Sequence, residues 1–370
     1  MRIVFLYLFL SVLFVSILES DEFDKKDVVF KFVPIVSSNP TAGTGAGIMG
    51  TMMYKADKSS SPSQAIVSAQ YTNTDSYNFV VINKLFFDSD KWQSNTVYAH
   101  IYNNTSFSID TDLPFSMPVD YIKPKFEVTV DGALEQVLYL VHKHFYIGGQ
   151  IFYMGQDFKA KNNDGKVFLI TNGIESLSRG GIGVMLSYDT RGKDEKFYPT
   201  DSTFVNVGFN SFPTFLGSDT SFYNVLLNAR KYIPMFLKND VLAMQYLAQY
   251  CSENTPDGAL AALGIRNVIR GFPVGKYKAR YLNALQLEYR YTIQNTNFRV
   301  APFVGYANLS GGSKGTSDKF NRSRNNGDYA SAGVGVHYIL SKKHQLDYRL
   351  DVVYSSDKEV SVYASINQAF

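Results

Sequence analysis

Three clusters in this 370-residue chain have residue types suited to chemistry, and each lacks a required companion. His142-Lys143-His144 supplies two imidazoles, as a metal site would, but no acidic or cysteine ligand stands close by in sequence. A polar turn accounts for it better. Gly45, Gly47 and Gly50 have the spacing of a dinucleotide fingerprint. That fingerprint works only where it opens a helix whose N-terminal amides hold the pyrophosphate. Thr51-Met-Met-Tyr-Lys55 follows with no helical pattern, so the glycines read as close-approach or bending positions in a strand. Cys251 is the only cysteine and has no histidine or other base beside it, so it reads as a passive wall or loop thiol. No catalytic residue, metal site or cofactor is expected, and an enzyme is the least supported class.

The residues with most to explain are Val268-Ile269-Arg270-Gly271-Phe272, at the centre of residues 261–277. Gly264, Gly271, Pro273 and Gly275 break any helix or strand and make the stretch a loop. Two aliphatics, an arginine and an aromatic make it too apolar to be freely solvated. Such a loop needs a container.

The rest of the chain supplies one. Residues 1–20 have the layout of a cleaved secretory signal peptide: Arg2, an apolar run to Leu18, then polar Glu19-Ser20-Asp21. Residues 21–29 read as a short periplasmic segment and 30–370 as a single barrel domain. A net charge of +3 leaves no electrostatic footprint for nucleic acid. Tyr and Phe are abundant, at 26 and 28, and no apolar run after residue 20 reaches the length of a helical span. These features predict an all-β fold, a transmembrane antiparallel β-barrel of about sixteen strands. Period-2 segments are read at 30–37, 44–55, 64–72, 76–88, 91–102, 124–139, 144–156, 179–190, 202–212, 221–232, 240–251, 279–292, 297–308, 328–340, 344–355 and 359–370. In 344–355, Leu346, Tyr348, Leu350, Val352 and Tyr354 share one face, while Asp347, Arg349, Asp351 and Ser355 share the other. Short turns alternate with longer loops at 103–123, 157–178, 252–278 and 309–327. An even strand count puts both termini on the periplasmic side and the Arg270 loop outside, between strands eleven and twelve. Lys314, Lys319, Arg322 and Arg324 make the 309–327 loop a candidate contact for anionic lipopolysaccharide, with simple solvation the plainer account.

Four stretches resemble the bacterial surface antigen superfamily, the BamA/TamA-like outer-membrane barrels. Val268 to Phe272 resembles its Arg-Gly-Phe/Tyr loop motif. The run from Gly181 and Gly183 through Tyr188, Asp189 and Arg191 to Tyr198 and Pro199 is similar to its strand-and-turn signature. Gly333 and Gly335 with Leu350-Asp351 resemble its last strands. Pro34 to Gly47, followed by Ser61-Pro-Ser63, resembles the start of a branch without POTRA domains. Phe370, with Ile366, Ala364, Val362 and Val360 on its face, resembles the terminal signature of outer-membrane barrels.

The resemblance implies that the loop folds back into the lumen, where Arg270 pairs with a wall carboxylate. Guanidinium offers a fork of donors suited to carboxylates. Gly271 would allow a tight turn beside it, and Phe272 would pack on the wall. Inward candidates are Glu288, Asp347 and Asp351, with Glu288 and Asp351 favoured and Asp189 more distant. Where the family often places an inward Asp before a Gly, this chain has Phe303-Val304-Gly305. Asp189 and Arg191 are expected to form an ion pair at the periplasmic rim. The resemblance further implies protein or lipid insertion or transport, with lateral opening between the first and last strands. A passive diffusion channel or structural barrel is the alternative. Expected partners are outer-membrane lipid and lipopolysaccharide, the barrel-assembly machinery for its own insertion, and a client or POTRA-bearing protein.

Overall fold

The computed structural model describes residues 28–39, 43–106, 125–171, 176–236, 240–264, 269–272, 277–311, 326–342 and 346–370. The expected signal peptide lies outside the described residues. Sixteen antiparallel strands close into one barrel. They are β1 (Val29–Asn39), β2 (Gly43–Tyr54), β3 (Ser63–Thr72), β4 (Tyr77–Phe87), β5 (Trp92–Ser106), β6 (Lys125–His142), β7 (Phe145–Ala160) and β8 (Leu177–Asp189). The second half comprises β9 (Ser202–Phe212), β10 (Phe222–Pro234), β11 (Val241–Cys251), β12 (Tyr281–Thr292), β13 (Phe298–Ser310), β14 (Gly327–Ser341), β15 (Leu346–Ser355) and β16 (Val360–Ile366). Each strand pairs with its neighbours in sequence, and β16 returns to β1.

Alternation decides which side chains face lipid. On β8, Ile182, Val184 and Leu186 are exposed outward, while Arg179, Met185, Ser187 and Asp189 are buried inward. Closure pairs most of the backbone within the wall, as hydrocarbon requires, and leaves one edge of β1 short of partners at β16. Aromatic rings mark both rims of the outer belt. Phe87 stacks on Trp92 at 6.1 Å and Trp92 meets Tyr139 at a tilt at 4.6 Å on the periplasmic side, with Phe145 and Tyr188 at 4.8 Å nearby. Tyr77 and Tyr102 at 5.0 Å, and Tyr250 and Tyr281 at 5.3 Å, mark the external side.

The sixteen segments read from the sequence each overlap one of these strands, with three further differences. A helix, α1 (Asn163–Thr171), stands in the loop between β7 and β8, which carried no helical expectation. Leu346, placed on the lipid face by strict alternation, is buried against Val33, Met53, Phe86 and Phe197. The cause is a break in register between Ile339 and Ser341, opposite the start of β15. The last strand stops at Ile366 instead of running to 370. Asn367 takes a left-handed φ of 69°, which turns residues 367–370 into the lumen. Phe370 therefore packs with Tyr198, Tyr232, Val241 and Ala243, and not on the lipid face.

Neutral amides line the lumen on the β6–β10 side. Gln136 Nε2 donates to Gln150 Oε1 at 3.3 Å, Gln150 donates to Asn210, and Asn210 Nδ2 donates to Asn224 Oδ1 at 2.8 Å. Gln150 and Asn210 belong to β7 and β9, with β8 between them. They meet because Gly183 has no side chain: a Cβ there would stand 2.1 Å from Asn210 Oδ1. Gly183→Val should break this bond and overpack the wall, costing about 1–3 kcal/mol. Gly149 meets nothing closer than 3.5 Å, so Gly149→Ala should be tolerated. Urea unfolding of the two variants, followed by heat-modifiable gel migration, checks the contrast.

Candidate functional site

The stretch after β11 folds back into the barrel. Ala261–Ala262 pairs with Lys278–Ala279, and this small two-stranded sheet closes the base of the loop. Leu260, Leu263, Ile269 and Phe272 are buried against Leu247, Leu282, Ala307, Leu309 and Tyr329 of the wall. Phe272 meets Tyr329 and Tyr277 edge-on at 5.7 and 6.0 Å. Gly271 has φ +98°, and a Cβ would stand 2.9 Å from Val353 Cγ1. Its N–H donates to the Tyr363 hydroxyl at 3.2 Å. Glycine alone suits both the dihedral and the approach. Val268 lies outside the described residues.

Arg270 is only 4% exposed. Its Nη2 donates to Glu288 Oε2 and its Nη1 to Asp351 Oδ2, each at 2.7 Å. Glu288 stands on β12 and Asp351 on β15. Between them, on β13, the Phe303 ring lies 3.3 Å under the guanidinium carbon. The strand that lacks the family's aspartate therefore offers an aromatic face, which attracts a cation through its quadrupole. The carboxylates come from strands on either side.

The pairing continues towards the periplasm. Glu288 Oε1 accepts from Arg290 Nε at 2.8 Å, and Arg290 Nη2 donates to the Phe370 main-chain oxygen at 2.9 Å. Tyr232, Tyr198 and Phe370 surround Arg290 at 5.7, 5.8 and 5.5 Å from its guanidinium carbon. Arg349 Nε lies 3.1 Å from Asp351 Oδ2. Asp347, also a candidate for Arg270, is engaged elsewhere. It accepts from Arg299 and from Gln368 Nε2, the latter at 2.6 Å. Arg299 in turn sits 3.9 Å over the Tyr198 ring.

The strand-turn motif divides into three jobs. Tyr188 belongs to the outer aromatic girdle. Asp189 accepts from Arg191 Nε at 2.9 Å and from Lys196 Nζ at 3.0 Å, buried inside the periplasmic rim. Burial pulls the Lys196 ammonium below its ordinary pKa, against the opposing pull of Asp189. Tyr198 and Pro199 are buried, and Tyr198 forms part of the floor beneath the arginines.

Sequence reasoning placed Arg290 and Arg349 on the inward faces of their strands and noted Phe303 where an aspartate was expected, but assigned none of these, nor Arg299, to the network. A usable signal existed: Arg290 and Arg349 each stand two residues from a favoured carboxylate, hence on the same inward face. Gly311 to Gly315 also spells the Gly-x-Ser-x-Gly of a hydrolase elbow. That motif needs a strand, a sharp turn and a helix, and residues 312–325 lie outside the described part.

A closed sixteen-strand barrel with an apolar outer belt and an inward-folded external loop defines an outer-membrane β-barrel. The Omp85 superfamily domain matches residues 61–343, and the chain belongs to that superfamily. Among solved structures, CdiB from Escherichia coli aligns at 12% identity and a TM-score of 0.64, covering 94% of this chain and 63% of that one. CdiB from Acinetobacter baumannii aligns at 9% and 0.57, covering 93% and 60%. BamA from Haemophilus ducreyi lacking POTRA domains 1-3 aligns at 13% and 0.50, covering 91% and 70%. The chain thus spans less than two thirds of either CdiB chain, and likeness at these identities is one of fold. No curated protein matches the sequence.

Removing one partner of a buried ion pair costs about 3–5 kcal/mol, because the other charge is left uncompensated. Arg270→Ala should lower the barrel's melting temperature accordingly and open the loop to protease. Arg270→Lys should recover only part, since an ammonium lacks the fork that spans two carboxylates. Thermal melts with limited proteolysis measure both.

Proposed function

We propose that this barrel inserts or translocates polypeptide or lipid at the outer membrane by opening between β1 and β16. The observation that carries the reading is the weakness of that seam. β1 and β16 share two register pairs among the described residues, Ser37 opposite Tyr363 and Ser38 opposite Val362. On its other edge β1 shares eleven with β2. Residues 29–36 thus keep an edge with no partner from β16, and such edges are templates for an incoming strand.

The loop bears on the same seam. Gly271 touches Tyr363 of β16, and Arg270 holds Asp351 of β15. A locked loop therefore steadies the closing side of the barrel while it obstructs the lumen. The occupant of the seam is a client polypeptide or lipid, and a POTRA-bearing protein is a candidate to deliver it. Lipopolysaccharide and outer-membrane lipid form the surroundings, and the barrel-assembly machinery inserts the chain itself. The reading assigns no chemical step to any residue.

The amide wall of β6–β10 favours a second reading, a passive path for polar solutes. Stable, salt-dependent conductance in planar bilayers would decide for it.

A disulfide across the seam tests the first reading. Ser38→Cys with Val362→Cys, in a Cys251→Ser background, joins β1 to β16 when oxidised. Vesicles carrying the reduced protein should speed the insertion of a small urea-unfolded barrel protein. Oxidation should return the rate to that of empty vesicles. Equal rates in the two redox states would exclude a role for the seam.

A further inference from the structure

The outer face of β5 and β6 departs from the rest of the lipid belt. Outward residues on β5 are Trp92, Ser94, Thr96, Tyr98, His100 and Tyr102. Opposite them on β6 stand Tyr139, Val137, Glu135, Ala133, Asp131 and Thr129. The tilted Trp92–Tyr139 pair marks the periplasmic rim and Tyr102, stacked on Tyr77, the external one. Polar groups occupy the space between. Ser94 Oγ donates to Glu135 Oε1 at 2.6 Å, and Thr96 Oγ1 donates to Glu135 Oε2 at 2.5 Å. His100 Nδ1 lies 2.7 Å from Asp131 Oδ1. One strand over, Asn83 accepts from the Tyr54 hydroxyl at 2.9 Å. Glu135 is four residues from Tyr139, about 13 Å along the strand and well inside the hydrocarbon belt.

Neighbouring strands show what lipid-facing surface normally looks like. Ile147 and Ile151 on β7, and Ile182, Val184 and Leu186 on β8, are exposed and apolar. Ionisable side chains facing hydrocarbon are costly, and they persist where something other than lipid covers them. The Asp131 side chain remains 50% exposed and that of His100 31%, so both keep hydrogen-bonding capacity directed outward.

The pattern also says what fits. Ser94 and Thr96 on β5 each spend their one hydroxyl proton on Glu135 of the same copy. The His100 imidazole, also on β5, meets Asp131 through Nδ1 and leaves Nε2 outside that bond. The acceptors Glu135 and Asp131 stand on β6. They are matched in depth, because Thr96 is opposite Glu135 and His100 is opposite Asp131. A two-fold axis along the membrane normal, passing between these strands, sets β5 of one copy against β6 of the other at equal depth. His100 of each copy then faces Asp131 of the other, as a self-complementary two-fold contact requires.

We propose that this chain forms a two-fold dimer within the membrane through the outer face of β5 and β6. The face lies four strands from β1, so pairing leaves the β1–β16 seam open to lipid. The proposal does not depend on the seam's function.

Ala133 lies outward between Glu135 and Asp131, and a cysteine there reports the contact without removing a polar group. Full-length Ala133→Cys, in the Cys251→Ser background, is placed in lipid vesicles at large lipid excess and oxidised. Val184→Cys on β8 serves as control. A covalent dimer should form at position 133 and not at 184. Adding Glu135→Leu should lower the dimer yield by about fivefold or more while heat-modifiable migration reports a folded barrel. Should that variant not fold, Glu135→Gln with Asp131→Asn takes its place, with the same expectation. Monomer at position 133, equal yields at 133 and 184, or a yield unchanged by the Glu135 substitution would each overturn the dimer. So would crosslinking in native outer membranes to a different protein in place of a second copy.

Discussion

The interior of this barrel depends on how one guanidinium is held. Arg270 arrives from an external loop, yet it is buried between two carboxylates on strands that are not neighbours, with an aromatic ring beneath it. Burying an unpaired charge is costly, whereas an arginine bonded to two carboxylates recovers much of that cost. The loop backbone follows from this: Gly271 must take a left-handed turn, and Phe272 must lie against Tyr329. The wall follows as well. Glu288 and Asp351 are themselves held by Arg290 and Arg349, so the loop docks onto a preformed lattice of charge.

That lattice is unequal around the circumference. On the β12–β15 side it is ionic: Arg270, Arg290, Arg299 and Arg349 against Glu288, Asp347 and Asp351. On the β6–β10 side a chain of neutral amides joins four strands, with Arg179 and Asp189 facing inward near the two ends of β8. The ionic side carries the loop and adjoins the seam. The amide side carries neither, so the two halves of one barrel have different duties.

Much of the architecture was legible in the sequence, because a barrel strand announces its two faces by strict alternation. The same parity placed Glu288 and Asp351 inward. It left open which carboxylate Arg270 would take, since β12 and β15 are not hydrogen-bonded to each other and their relative heights follow from the closed barrel. Alternation also failed where the chain leaves the ladder. Leu346 turns inward after a register break, and Phe370 does so after the left-handed Asn367, and neither event has a periodic signature. Phe303 was visible as a missing aspartate, but its role under the guanidinium needed the loop in place. Arg290 shares the inward parity of Glu288, but its bond to the Phe370 oxygen depends on the turn at Asn367, which has no periodic signature.

The inward turn at Asn367 has one consequence for the wall itself. Residues 367–370 have two possible uses, and these exclude each other. Kept in plane, they would continue β16 alongside β1 and lengthen the ladder there. Folded inward, they donate to Gln64 and Asp347, accept from Arg290 and close the floor. Residues 364–366 already stand in β16 without register partners on β1, and the inward turn takes the next four residues away from the joint as well. Floor and joint therefore compete for one stretch of chain, and whatever loosens one is placed to tighten the other.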